Sequence, residues 1–90
     1  MGNELDIAAA LQVLEAAFLP LRCIAESLDH GNGARFRIVD ASGDTNLSVD
    51  GLLRGQLSDA RRLKDLILHA RENLSERGYE LADWAMPSTT

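Results

Sequence analysis

Residues 34–51 read ARFRIVDASGDTNLSVDG, and apolar and polar side chains alternate on either side of a central turn. This period of two residues predicts two β-strands that each bury one face. The turn at residues 40–44 is short and rich in Asp, Ser and Gly, so the two strands are expected to pair as an antiparallel hairpin. The uncovered face of this hairpin is expected to carry five polar side chains: Arg35, Arg37, Asn46, Ser48 and Asp50.

A third strand is predicted just before this hairpin. Leu21, Cys23 and Ala25 alternate with residues that are partly apolar, so the pattern leaves open which face of this strand points inward. Residues 29–33, DHGNG, tolerate positive φ and predict a second tight connection. Residues 52–57 have the weakest pattern and are interpreted as a strand extension followed by a turn. The three strands are therefore expected to form an antiparallel meander.

Helical periodicity is present on both sides of the strands. Spacings of three and four residues place one apolar stripe on each predicted helix. The first stripe consists of Ile7, Leu11, Leu14 and Phe18, and the second consists of Leu63, Leu66, Ile67, Ala70 and Leu74. Because each stripe must be buried, both helices are expected to pack on one face of the sheet. The predicted fold is α+β, in the order α-β-β-β-α, with a three-stranded antiparallel meander.

The boundaries of the helices are predicted from capping residues. Asn3 and Ser58 are expected to be the N-caps, and Gly78 is expected to end the second helix. Residues 1–78 then form a single α+β domain, and residues 79–90 form a C-terminal tail whose last residues are expected to fray. Part of the tail is expected to dock, on its own chain or across a dimer, because its apolar side chains are costly to expose: Tyr79, Leu81, Trp84 and Met86.

The composition indicates a small acidic protein. Its 90 residues include 14 Asp and Glu against 9 Lys and Arg, which gives a net charge of -5. The hydrophobic content of 46% is high enough for a folded core. The single cysteine, Cys23, excludes an intramolecular disulfide, and no apolar run reaches the roughly 20 residues that cross a bilayer. We therefore expect a cytoplasmic protein without a membrane segment.

No set of residues has the spacing of a catalytic, cofactor-binding or metal site, so none of these sites is predicted. His30 and His69 are separated and lack companion ligands. One alternative stays open, because Arg22 beside Cys23 can lower the pKa of a thiol and make it reactive. The protein would then be a small enzyme or a redox-sensitive protein that uses Cys23. Free cysteines are more often buried apolar residues, which favours a structural role.

Arg35 and Arg37 are the strongest candidates for a binding surface, because arginine is enriched at protein interfaces. With the apolar tail residues they make up the candidate interface: Arg35, Arg37, Tyr79, Leu81, Trp84 and Met86. A three-stranded sheet also leaves an edge with unpaired backbone groups, which predicts a homodimer. The predicted function is a non-catalytic protein-interaction or regulatory module, and the sequence does not identify its partner or process.

The segment Phe18-Leu19-Pro20-Leu21-Arg22-Cys23 follows a helix rich in Ala and Leu and precedes short strands and a Leu-rich helix. In this arrangement the chain resembles a family of small bacterial proteins with an FLPLRC-like segment, known as domain-of-unknown-function family 1652. The resemblance extends over about residues 11–74. It implies a compact α+β domain and no particular activity, because no activity is established for the family.

The order α-β-β-β-α is also similar to that of double-stranded-RNA-binding domains, which gives a second alternative function. Those domains carry a basic cluster at the start of their last helix. The present sequence has three cations there, which are candidate anion-contacting residues: Arg61, Arg62 and Lys64. The acidic net charge and the neighbouring Asp59 argue against nucleic-acid binding, which needs a net basic surface.

Overall fold

The computed structural model describes residues 6–86 as a three-stranded antiparallel sheet with helices packed on one face. Its elements are α1 (Ile7–Ala16), β1 (Arg22–Leu28), β2 (Gly33–Val39), β3 (Thr45–Leu53), α2 (Arg54–Ser58) and α3 (Ala60–Glu76). A short 3-10 turn, Asp29–Gly31, joins the first two strands. The strands lie in the order β1-β2-β3, so the predicted α+β meander is confirmed. The predicted strand extension is present, because β3 continues to Leu53, and the short helix α2 replaces only the predicted turn.

The register of the strands decides which side chains face the helices. β1 pairs with β2 without interruption, from Arg22 opposite Val39 to Leu28 opposite Gly33. The pairing of β2 with β3 shifts twice, so β3 bends and twists more strongly. The covered face carries the apolar residues of all three strands: Cys23, Ala25, Ala34, Phe36, Ile38, Leu47, Val49 and Leu52. The structure thus resolves the inward face of β1, which the sequence pattern left open.

One hydrophobic core lies between the sheet and the helices. Phe18, just after α1, stacks on Phe36 of β2 with ring centroids 5.8 Å apart and an interplanar angle of 23°. The buried core cluster consists of Ala10, Leu14, Ala17, Phe18, Cys23, Ala34, Phe36, Ile38, Leu52, Leu57, Leu63, Ile67, Ala70 and Leu74. Both predicted helical stripes contribute to it, and α2 adds Leu57. Within residues 6–86, no polar or charged residue is fully buried.

Aspartates cap the two longer helices. Asp6 caps α1, with Oδ1 accepting a hydrogen bond from the Ala9 amide at 2.7 Å. Asp59 caps α3, and its Oδ1 accepts from the amides of Arg61 and Arg62 at 2.9 and 3.3 Å. The predicted cap Asn3 lies outside the described residues.

The assignment of Ser58 as an N-cap is wrong, because Ser58 is the last residue of α2. Asp59 leaves the helical conformation, with φ -92° and ψ 113°, and starts α3 one residue later. An aspartate caps a helix as well as a serine does, and its negative charge also favours the positive end of the helix dipole. The sequence alone gave no reason to expect two helices in succession here.

The end of α3 turns sharply at Gly78, which has a φ of +97° that side-chain-bearing residues rarely adopt. The Gly78 amide donates to the Ser75 carbonyl and the Tyr79 amide donates to the Leu74 carbonyl. This pair of hydrogen bonds is a Schellman motif, which reverses the chain after a helix. The turn directs the following residues back towards the start of β3.

The tail docks on its own chain over residues 79–86. The Tyr79 hydroxyl donates to Asn46 Oδ1 at 2.9 Å, and the Ala82 amide donates to the Leu19 carbonyl at 2.7 Å. The guanidinium of Arg71 donates to the carbonyls of Ala17 and Ala82, so it ties the tail to the end of α1. Four tail side chains pack partly buried against the core: Tyr79, Leu81, Trp84 and Met86. The fraying predicted for the last residues concerns residues 87–90, which lie outside the described part.

The placement of Asn46 on the uncovered polar face is wrong. Asn46 lies where the pairing of β2 with β3 shifts, and it is half-buried. Its side chain accepts a hydrogen bond from Tyr79, and its backbone carbonyl accepts one from Arg77. Because of the register shift, the Asn46 side chain does not follow the inward–outward alternation of β3. Its hydrogen bonds instead connect the start of β3 to the end of α3 and to the tail.

Candidate binding face

The uncovered side of the sheet is a mixed surface of charged, polar and apolar side chains. Alternation along the strands and the register across them place its members in rows. We call this surface the open face, and it consists of Arg22, Ile24, Glu26, Leu28, Gly33, Arg35, Arg37, Ser48, Asp50 and Leu53. The predicted positions of Arg35, Arg37, Ser48 and Asp50 on one surface agree with this arrangement.

The centre of the open face contains one ion pair and one unpaired arginine. Arg35 donates to Glu26 Oε2 from Nε at 3.0 Å and from Nη2 at 2.8 Å. Both side chains are about half exposed, at 53% and 51%, so this pair contributes little to stability. Arg37 lies in the next row, and within residues 6–86 neither Arg37 nor Asp50 forms a side-chain hydrogen bond or an ion pair. Their charges are therefore available to a partner.

These side chains border a shallow cleft of about 300 Å³. Its lining consists of Ile24, Glu26, Arg35, Phe36, Arg37, Ser48 and Asp50. The cleft thus offers two arginines and two carboxylates as donors and acceptors around a small apolar floor. None of its lining residues is a histidine, cysteine or lysine, so the groups present can bind and orient a partner through ionic and hydrogen bonds.

One end of the open face is apolar. Leu28 and Leu53 lie on either side of Gly33 in a single row across the three strands. Leu53 is 66% exposed and Leu28 is 36% exposed. A Cβ atom at Gly33 would lie only 3.0 Å from the Leu52 carbonyl oxygen. Glycine therefore allows close strand pairing and leaves a slot between the two leucines.

The charge of the open face differs in sign from that of the whole chain. Arg22, Arg35 and Arg37 outnumber Glu26 and Asp50 by one, whereas the chain carries a net charge of -5. The remaining residues together are therefore still more acidic. The open face is therefore slightly basic on an otherwise acidic molecule.

Leu28, Gly33 and Leu53 were not recognised as functional candidates from the sequence. Gly33 has the same strand phase as Arg35 and Arg37, and this was an available signal. Leu28 lies on β1, whose inward face the sequence pattern left open. Leu53 could not be placed in the same way, because the register shifts in β3 break the simple alternation. The sequence pattern therefore located the charged centre of the face and missed its apolar end.

The environment of Cys23 is buried and apolar, whereas a reactive thiol is exposed and lies close to a positive charge. Its side chain faces the core and is only 6% exposed, whereas Arg22 points to the other side of the strand. Burial, with a smaller contribution from the charge of Glu15, raises the pKa of the thiol from 9.0 to about 12. At neutral pH the sulfur is therefore protonated and a weak nucleophile. The geometry gives no support to a chemical role for Cys23.

Arg61, Arg62 and Lys64 are exposed in the first turns of α3, on the helical side of the molecule. They therefore lie on the opposite side of the sheet from the open face. Arg62 Nε lies 3.9 Å from Asp59 Oδ2, which partly offsets its charge. The three cations remain a small basic patch on an acidic protein.

The described part of the chain contains neither a candidate metal site nor a candidate membrane span. Within residues 6–86, no three His, Cys, Asp or Glu side chains lie close enough together to hold a metal ion. Over the same residues, none of the helices has the length and apolar character needed to cross a bilayer.

Comparison with known proteins identifies the family. A family model described as a protein of unknown function, DUF1652, matches residues 8–74. The chain belongs to this family. The matched region contains all three strands and most of the helical core, and it ends before the tail begins. Neither a curated protein nor a solved structure matches the chain. The family match thus defines the extent of the shared domain, and the function has to be argued from the site.

Proposed function

We propose that this member of the DUF1652 family is a non-catalytic interaction module that binds a protein partner through its open face. The carrying observation is Arg37, which is exposed on this face and has no partner among the described residues. Arginine combines a planar set of donors with a stem that packs on apolar groups, and it is a frequent anchor of protein interfaces. Its neighbours in the row, Ile24 and Ser48, supply an apolar and a polar contact.

The chemistry of the face indicates the kind of partner. A carboxylate of the partner would pair with Arg37, and a hydrogen-bond donor of the partner would bind the carboxylate of Asp50. An apolar side chain of the partner would fill the slot at Gly33. An acidic protein segment with one apolar anchor satisfies all three requirements. We propose that this binding takes place in the cytoplasm, in agreement with the free and buried thiol of Cys23.

Affinity capture from the native cell, followed by mass spectrometry, tests the proposal. The wild-type chain is compared with Arg37→Glu and with Arg61→Glu, which makes the same charge change on the helical side. We expect Arg37→Glu to lose the partner and Arg61→Glu to keep it. Titration with the purified partner should then show at least about a tenfold weaker dissociation constant for Arg37→Glu. Equal capture by all three proteins would contradict the proposal.

Duplex RNA binding is the alternative that this experiment must separate. An RNA-binding module would bind through Arg61, Arg62 and Lys64, with an affinity that falls steeply as salt is added. Fluorescence anisotropy with a duplex RNA measures this directly. We expect no such binding, because the three cations lie on an acidic molecule and next to Asp59. Salt-dependent binding that is lost when all three become Glu would replace the proposed function.

A further inference from the structure

β1 is an edge strand whose outer side has no partner strand among residues 6–86. The sheet order leaves β1 paired with β2 alone. Among residues 6–86, no backbone group of Arg22–Leu28 forms a hydrogen bond beyond this pairing and the local turn that follows. Such a row of free N–H and C=O groups is a template for another strand.

The two edges of the sheet differ in how they are protected. β3 has two register shifts, and the Arg77 guanidinium binds the Asn46 carbonyl near its start. β1 has an uninterrupted register over seven residues and contains no proline, lysine or bulge. Bulges and lysines are common means of preventing pairing at a sheet edge. β1 is therefore the edge that is open to a second strand.

We propose that two copies of this chain associate by antiparallel pairing of β1 with β1, with Ile24 opposite Ile24 of the second copy. In this register Arg22 lies opposite Glu26 of the second copy, and the symmetry repeats the pair on the other side of the two-fold axis. Arg22, Ile24 and Glu26 all lie on the open face. Two opposite-charge pairs then flank one apolar pair, which is a favourable arrangement of cross-strand neighbours.

Other two-fold registers are less complementary. Shifting the pairing so that Ala25 faces itself places Ile24 opposite Glu26 and Arg22 opposite a leucine. A further shift in the same direction places Glu26 opposite itself, which opposes like charges. Only the register centred on Ile24 pairs the opposite charges of β1.

The pairing would produce a six-stranded sheet in which the two open faces are continuous. Helices would cover one side and both clefts would lie on the other, next to the axis, because Ile24 and Glu26 of β1 line each cleft. This inference rests on the strand edge, and it shares Ile24 and Glu26 with the cleft beside Arg37. A dimer would give that binding face two equivalent sites and hence higher avidity.

Reversing the charge of Arg22 or of Glu26, in separate variants, tests the register. Sedimentation equilibrium of the full chain should give a dimer for the wild type. Arg22→Glu and Glu26→Arg each create two like-charge pairs across the axis, and each should weaken dimerisation at least about tenfold. Glu26→Arg also removes the ion pair with Arg35 of its own chain, so Arg22→Glu is the more specific variant. An equal mixture of the two variants should dimerise again, because both cross-strand pairs are then of opposite charge. Arg61→Glu, which makes the same change of charge on the helical side, is the matched control and should remain dimeric.

A cross-linking experiment tests the axis without changing a charge. Ile24→Cys should form a covalent dimer on mild oxidation, because the two sulfur atoms would meet across the axis. The native Cys23 is buried and does not interfere. Circular dichroism checks that each variant is folded; if Glu26→Arg fails to fold, Arg22→Glu and the cross-link decide. The proposal would be overturned by a monomeric wild type at high concentration or by a dimer whose affinity is unchanged in both charge variants. Cross-linking of Ala25→Cys in place of Ile24→Cys would also overturn it.

Discussion

At the scale of single residues, one carboxylate determines where the longest helix begins. Asp59 accepts hydrogen bonds from two amides of the first turn of α3. Its replacement, Asp59→Ala, should lower the free energy of unfolding by about 1 kcal/mol, because these amides lose their acceptor. Urea denaturation followed by circular dichroism measures the change. Ser58→Ala is the control and should stay within about 0.5 kcal/mol of the wild type; equal losses in both variants would refute the cap assignment.

Cys23 gives the protein a predictable response to alkaline pH. Because burial raises its pKa from 9.0 to about 12, the unfolded chain loses the thiol proton at a lower pH than the folded chain. The contribution of the protonated thiol to stability is complete below pH 9 and is lost as the pH rises towards 12. The stability difference between the wild type and Cys23→Ala should therefore shrink over this range in urea denaturation experiments. A pH-independent difference would show that the thiol titrates normally in the folded protein.

At the scale of secondary-structure elements, Arg71 connects α3, α1 and the tail. Arg71→Met keeps an apolar stem and removes the hydrogen bonds to the carbonyls of Ala17 and Ala82. We expect the free energy of unfolding to fall by about 2 kcal/mol, because two charge-assisted hydrogen bonds are lost. Hydrogen exchange at the Ala82 amide should also become faster. Arg61→Met, an exposed control at the other end of α3, should leave both quantities unchanged.

The elements that sequence reasoning predicted are those with local patterns. The alternation around Phe36 and the stripe of α3 are local in the chain, and both are found in the structure. The helix α2 was missed because its single buried residue, Leu57, is explained by tertiary packing and not by periodicity. The displacement of Asn46 from the open face follows from a register shift, and register is determined by partner strands that a single segment does not reveal.

At the scale of the whole molecule, the layered fold separates the side chains that form the core from those of the open face. The helical layer and the docked tail complete one core, so the apolar tail residues stabilise their own chain. The open face keeps exposed arginines and leucines that the core does not use. In the sequence, the two arginines of β2 and the apolar tail residues were both candidates for an interface, whereas the leucines of the open face were not. Docking of the tail was foreseeable from its apolar residues, but its direction depends on Gly78 and Arg71, whose contacts exist only in the folded molecule.

Because the docked tail completes the common core, we predict that it unfolds together with the domain. Trp84 is the only tryptophan of the chain and packs partly buried against the common core. Its fluorescence therefore reports on the tail, whereas far-ultraviolet circular dichroism reports mainly on α1 and α3. In urea, both signals should follow one transition with the same midpoint, as expected for a single cooperative unit.

Arg71→Met provides the internal comparison for this measurement. Without the guanidinium, the tail loses its connection to α1, and the fluorescence midpoint should move to a lower urea concentration than the circular dichroism midpoint. Separate midpoints already in the wild type would show that residues 79–86 form an independently opening segment. The division of the chain after residue 78 would then be an energetic boundary, whereas coincident transitions would make the tail an integral part of the domain.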